Sequence, residues 1–137
     1  MHAKSTLKIR NLDRWADAVE IRRSLVDDGW VSPNTYSNRE YGIITSQSAV
    51  YLFLIYNQSV SECYDKAFVG YVGMATNLEQ RLLNHSILKQ ISDSGLWPMK
   101  WFKPTEAKNL RETERNYIHY FDPPWNIIGR RRGLVVQ

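Results

Sequence analysis

The run Phe68–His85, FVGYVGMATNLEQRLLNH, changes from strand to helix period across one short polar turn. An apolar segment ends on Tyr71-Val72-Gly73, and Leu78 and Leu82 then recur at helical spacing, with Arg81 and His85 one turn apart beside them. A strand that feeds directly into a helix keeps both elements on one core, so this run anchors the middle of the fold. Upstream, Ala49–Tyr56 is an unbroken apolar stretch, far too short to cross a bilayer and well suited to a buried strand. We read strand one as Ser48–Tyr56 and strand two as Ala67–Val72. The polar segment Asn57–Lys66 joins them into an antiparallel hairpin with a long turn.

The flanking chain adds helices. Asn11 caps a helix that runs to about Asp27, with Leu12, Trp15, Ala16 and Val19 on one apolar face and Asp28-Gly29 as its stop. Val31–Tyr41, rich in Ser, Pro, Asn and Arg, reads as a loop. After strand two, a helix starts near Thr76 or Asn77 and continues to about Gln90. Asp93-Ser94-Gly95 breaks it, and Trp97–Phe102 supplies a third, irregular strand. A last helix begins at Pro104-Thr105 and ends at Phe121, because neither Pro123 nor Pro124 offers an N–H. The expected class is α+β, with a small, mostly three-stranded antiparallel sheet flanked by helices. Residues 1–47 form an N-terminal arm and helix packed on the same domain, 48–127 the core, and 128–137 a basic tail.

A chain of 137 residues, 43% hydrophobic, buries a core without staples. Cys63 is the only cysteine, which excludes an intramolecular disulfide and a cysteine-based zinc site and suits a reducing, cytoplasmic setting. The net charge of +4 is too small to name a partner, but its distribution says more. Arg22-Arg23 lies in the first helix and Arg130-Arg131-Arg132 near the end, and clustered guanidinium forks suit phosphate contacts. A solvated basic tail is the equal alternative.

Several side chains lie where their chemistry needs a reason. Arg81 and His85 fall beside the Leu78–Leu82 stripe, where an arginine answers to an anion or else packs its stem and reaches water. Glu114 falls in the apolar stripe of Leu110, Tyr117 and Phe121. A carboxylate there needs a cation, either a metal or a partner such as Arg81. Glu106, Glu112 and Arg115 read as surface charges, and His2 and His119 have no partner pattern. Tyr51 and Tyr71 fill core or position a water, and Gly73 opens the backbone to a phosphate. Asn126, held behind Pro123, Pro124 and Trp125, is a turn residue or an anchor of the site.

Taken in order, these positions resemble the GIY-YIG endonuclease superfamily over residues 48–127. Ala49-Val50-Tyr51 stands for the first motif, without its glycine, and Tyr71-Val72-Gly73 for the second. Arg81, His85, Glu114 and Asn126 follow, and Pro123-Pro124-Trp125-Asn126 looks closest to the phage-type endonuclease II group. Met74 stands where many members carry lysine, which leaves His85 or Tyr51 as base. The resemblance implies a metal-dependent endodeoxyribonuclease in a bacterial cell or phage-infected host. Its catalytic set would be Tyr51, Tyr71, Arg81, His85, Glu114 and Asn126, with Glu114 holding Mg²⁺ or Mn²⁺. DNA would contact Gly73, Arg22, Arg23, Arg130, Arg131 and Arg132. The partners implied are DNA and a second copy, as a homodimer or higher homo-oligomer, with no membrane. A non-cleaving nucleic-acid-binding module on the same fold, marked by loss of Arg81 or Glu114, and a protein-interaction domain with an aromatic interface are the other readings.

Overall fold

The computed structural model describes residues 15–32, 47–57 and 66–126. Cys63, the Asn11 start of the first helix, most of the Val31–Tyr41 loop and Arg130–Arg132 lie outside them. In chain order the elements are β1 (Ala16–Asp17), α1 (Ala18–Asp27), β2 (Ala49–Asn57) and β3 (Lys66–Ala75). There follow α2 (Leu78–Leu83), α3 (Ser86–Asp93), β4 (Leu96–Pro104), a 3-10 turn (Ala107–Asn109) and α4 (Leu110–Phe121).

The class is α+β, built on an antiparallel sheet in the order β1-β3-β2-β4. The sheet has four strands where the sequence predicts mostly three, because Ala16-Asp17 pairs with Ala67 and Lys66 before α1 begins. Asp17 causes the change. Its backbone is extended and its carboxylate accepts from the amides of Val19 and Glu20, so the helix starts at Ala18 and Trp15 lies outside it. Trp15 instead meets Phe68 edge-on at 4.7 Å, and the helix face it was expected to join is carried by Ala18, Ile21 and Leu25.

β2 lies between β3 and β4, which pair with both its edges, and its side chains are buried on both faces of the sheet. This explains a strand apolar at every position with no alternation. The helix expected to run from Asn77 to Gln90 is two helices. Asn77 caps the first by accepting from the Gln80 amide, and Asn84 and His85 then leave helical geometry before Ser86 starts the second. Asparagine and serine favour such junctions because their side chains compete for backbone groups.

A buried polar cluster joins the distant elements. Lys103 of β4 pairs with the Asp28 carboxylate at the end of α1, and it donates to the Asp28 carbonyl and, at 3.0 Å, to the Tyr117 hydroxyl. Tyr117 in turn donates to the Asp28 carboxylate. Removing Lys103 would strand the buried Asp28 carboxylate, typically a cost of about 3–5 kcal/mol. Tyr117 stands one turn from Glu114, so the cluster fixes the helix that carries that carboxylate.

Candidate active site

Cross-strand pairing begins the site. Tyr51 stands opposite Gly73 and Phe53 opposite Tyr71, which puts Tyr51, Phe53 and Tyr71 on one face of the sheet. A Cβ on Gly73 would lie 2.9 Å from Tyr51 Cε2 and closer still to the phenol carbon and oxygen. The glycine makes room for the Tyr51 ring. The space that the sequence reading gave to a phosphate belongs to a tyrosine, and Gly73 is buried.

His85 completes this cluster from the junction between α2 and α3. Its Nε2 is 2.7 Å from the Tyr51 hydroxyl, and its ring meets those of Tyr51, Phe53 and Tyr71 edge-on at 5.6, 5.1 and 5.2 Å. It is buried at 4% exposure, and among the described residues its Nδ1 has no hydrogen-bond partner. Burial, reinforced by the Arg81 guanidinium, pushes the imidazole down to about 4, so it is neutral at neutral pH. Burial pushes the Tyr51 phenol far up, with the Tyr71 phenol adding to the shift and Arg81 opposing it. Tyr71 is raised for the same first reason, with Arg81 pulling it down and Glu114 pushing it up. The Tyr71 and Tyr51 ring centroids are 6.2 Å apart.

These groups open onto a cleft of about 960 Å³ walled by Tyr71, Arg81, His85, Glu114, Trp125 and Asn126 together with further residues of α4. Tyr51, at 1% exposure, stands behind the wall and does not reach the cleft. Arg81, expected at the edge of the core, is exposed and turns to the cleft mouth, since α2 ends two residues later. Glu114 owes its half-buried place to the helix period. At about 100° per residue, the buried Leu110, Tyr117, Tyr120 and Phe121 fill one arc of α4, and Glu114 stands at the border between it and the cleft-facing arc. Among the described residues, no three His, Cys, Asp or Glu side chains come together as a metal-binding group. Asp122, the left-handed C-cap of α4, is the other carboxylate on the wall.

Asn126 is an anchor. Its Oδ1 accepts from the Val72 amide and its Nδ2 donates to the Val72 carbonyl, both at 2.8 Å and buried. β1 pairs with β3 at Lys66 and Ala67, so among the described residues no strand lies beside the outer edge of β3 at Val72, and the asparagine amide takes a strand's place. One donor and one acceptor of that amide are committed to the Val72 backbone, so Asn126 positions Tyr71 and Gly73. Next to it, Trp125 packs over Gly70, where an added Cβ would lie 2.6 Å from Ile55 Cγ1 and 3.3 Å from the indole. Gly70 is the extra residue of a bulge: Phe53 pairs with Tyr71, and Leu54 with Val69.

Of the residues selected from the sequence, Tyr71, Arg81, His85, Glu114 and Asn126 meet at one cleft, with Tyr51 immediately behind. Arg22 and Arg23 do not line it. Arg22 donates from Nη1 to the Tyr56 hydroxyl at 2.7 Å, and Arg23 is exposed on α1. Arg115, read as a surface charge, His119, read as having no partner pattern, and Arg111, which the sequence did not single out, do line the cleft. Their i, i+4, i+8 spacing was the available signal. Among the described residues no helix is long and apolar enough to cross a membrane. Comparison with protein-family models, with curated proteins and with solved structures returns no match for this chain.

Proposed function

We propose that this chain is a divalent-metal-dependent endonuclease that hydrolyses DNA phosphodiester bonds on a GIY-YIG-like scaffold. The observation that carries this reading is convergence: residues from β3, α2, the α2–α3 junction, α4 and the segment after it meet at one cleft. They comprise an arginine, a half-buried carboxylate, a phenol and a neutral imidazole. A core assembled only for stability has little use for that set at a solvent-filled mouth.

Glu114 would hold the cation. Among the described residues no cluster of nitrogen or sulfur ligands joins that carboxylate, and such a site suits Mg²⁺ or Mn²⁺, which keep several waters and accept phosphate oxygens, better than zinc. When bound, such a cation neutralises charge on the scissile phosphate and on the departing 3′ oxygen. Arg81 at the cleft mouth binds the non-bridging oxygens. Tyr71, and not the enclosed Tyr51, faces the attacking water. The water's oxygen bonds to phosphorus and the bond to the 3′ oxygen breaks. The water's proton passes to the neutral imidazole of His85 on the cleft wall, which the Tyr51 hydroxyl holds in place at Nε2. Burial is the larger cause of the imidazole's low basicity and Arg81 the smaller, and phosphate bound at Arg81 offsets the smaller one. One such cleft cuts one strand, so a double-strand break takes a second copy or a second visit.

Incubating supercoiled plasmid with the protein in Mg²⁺ or in EDTA tests the reading. We expect nicked or linear product only with Mg²⁺. Glu114→Gln should abolish cutting while duplex binding in EDTA persists, and Arg81→Ala should slow cutting by on the order of 10²-fold. A wild type that leaves plasmid intact under both conditions overturns the proposal, and a Glu114→Gln variant that cuts at the wild-type rate overturns the role of Glu114.

A further inference from the structure

α4 turns more charge toward the cleft than its one carboxylate. Arg111 and Arg115 both line the wall and both are exposed, an i, i+4 pair whose Cα atoms are about 6 Å apart along the helix axis. On the helical wheel they lie about 60° and 100° from Glu114, on its solvent side. Leu110, Tyr117, Tyr120 and Phe121 occupy the opposite arc and supply the helix's core packing, which makes no use of either arginine. With Arg81, three arginines stand around this cleft against Glu114 and Asp122. A small anion would engage one guanidinium. Two repeated along a rigid helix, with a third nearby, match an anion that is itself repeated.

The geometry points to α4 as a phosphate rail: Arg111 and Arg115 each grip a backbone phosphate of the DNA strand beside the one being cut, whose scissile group lies at Arg81 and Glu114. This rests on the nuclease reading and adds to it the line along which the strand runs. Guanidinium forks pair with phosphate oxygens through two parallel hydrogen bonds, so the contacts fix register without reading bases.

The test is binding of a labelled duplex in EDTA, followed by fluorescence anisotropy over a salt series. Wild type is compared with Arg111→Ala/Arg115→Ala, with each single variant and with Arg111→Lys/Arg115→Lys. Each phosphate contact contributes about 0.9 to the log–log salt slope, so the double alanine variant should flatten it by about two units and each single variant by about one. The lysine pair keeps the charge and should keep the slope. Thermal melting confirms that the variants fold, and the single variants carry the test if the double one does not. An unchanged slope in folded alanine variants, with wild type cutting plasmid, overturns the rail and leaves the nuclease reading standing. A wild type that neither binds duplex nor cuts overturns both. Binding of polyglutamate that the alanine pair abolishes, with the DNA slope unchanged, overturns the rail in favour of an acidic protein partner.

Discussion

Gly73 is the residue whose meaning changes most between sequence and structure. Absence of a side chain is visible in a sequence, but what fills the vacated space depends on the strand opposite, and here it is the Tyr51 ring. Gly73→Ala should therefore act as overpacking, lowering stability by about 1–3 kcal/mol and displacing the hydroxyl that meets His85. Urea unfolding followed by tryptophan fluorescence measures the first effect. A midpoint equal to wild type would mean that the strands relax without strain. Glu114 was readable in advance because a carboxylate within an apolar stripe contradicts its own helix period. Arg115 and His119 were not, because a polar side chain looks the same in a sequence whether it faces bulk water or a cleft.

Among the elements, the β2–β3 hairpin and the third long strand were legible, since apolar runs bounded by turn residues specify strands whatever packs on them. β1 was not, being two residues long and defined by its partner, and neither was the break at His85, which interrupts an otherwise helical leucine spacing. Asn126 acts at this scale by closing the edge of β3. Asn126→Asp keeps an acceptor for the Val72 amide but sets a second oxygen against the Val72 carbonyl. The expected loss at neutral pH is about 1–3 kcal/mol, the cost of an unpaired buried group. Protonation restores a donor, so the folded-state pKa of the new carboxyl lies above its unfolded value. The lost stability should return below that unfolded value and disappear again as pH rises through the folded one. Urea midpoints for variant and wild type at pH 4 and pH 7 measure this, and a deficit independent of pH would contradict it.

The molecule as a whole inherits a pH dependence from His85. Burial, with Arg81, holds its pKa down at about 4 when folded, against about 6.5 for an ordinary imidazole. Between those values the unfolded chain binds a proton that the folded one refuses. The contribution to stability is thus complete above about 6.5 and is lost as pH falls toward 4, at up to about 1.4 kcal/mol per pH unit from this one group. His85→Gln retains an acceptor for Tyr51 and should lose less stability than wild type between pH 7 and pH 4, measured by denaturant midpoints. Parallel declines would show that the imidazole titrates as it does in water. Long-range closure was the least legible level. Nothing local in Asp28, Lys103 or Tyr117 announces that three distant segments share one buried network, because each is an ordinary residue for its own element.

The bulge at Gly70 makes the site depend on chain length as well as on side chains. In a strand, orientation is counted in twos, and the extra residue resets the count so that Phe68 and Tyr71, an odd number of positions apart, pair with Ile55 and Phe53, two apart. Loss of a single codon between Phe68 and Tyr71 would leave every named side chain in the sequence. It would turn the bulge into a regular ladder, in which Phe68 and the tyrosine two places on still share the face of Ile55 and Phe53, but the bend and added twist that the bulge gives β3 would be lost. A substitution in this stretch alters one contact, whereas a frame-preserving deletion alters the course of the backbone that brings Tyr71 to the cleft.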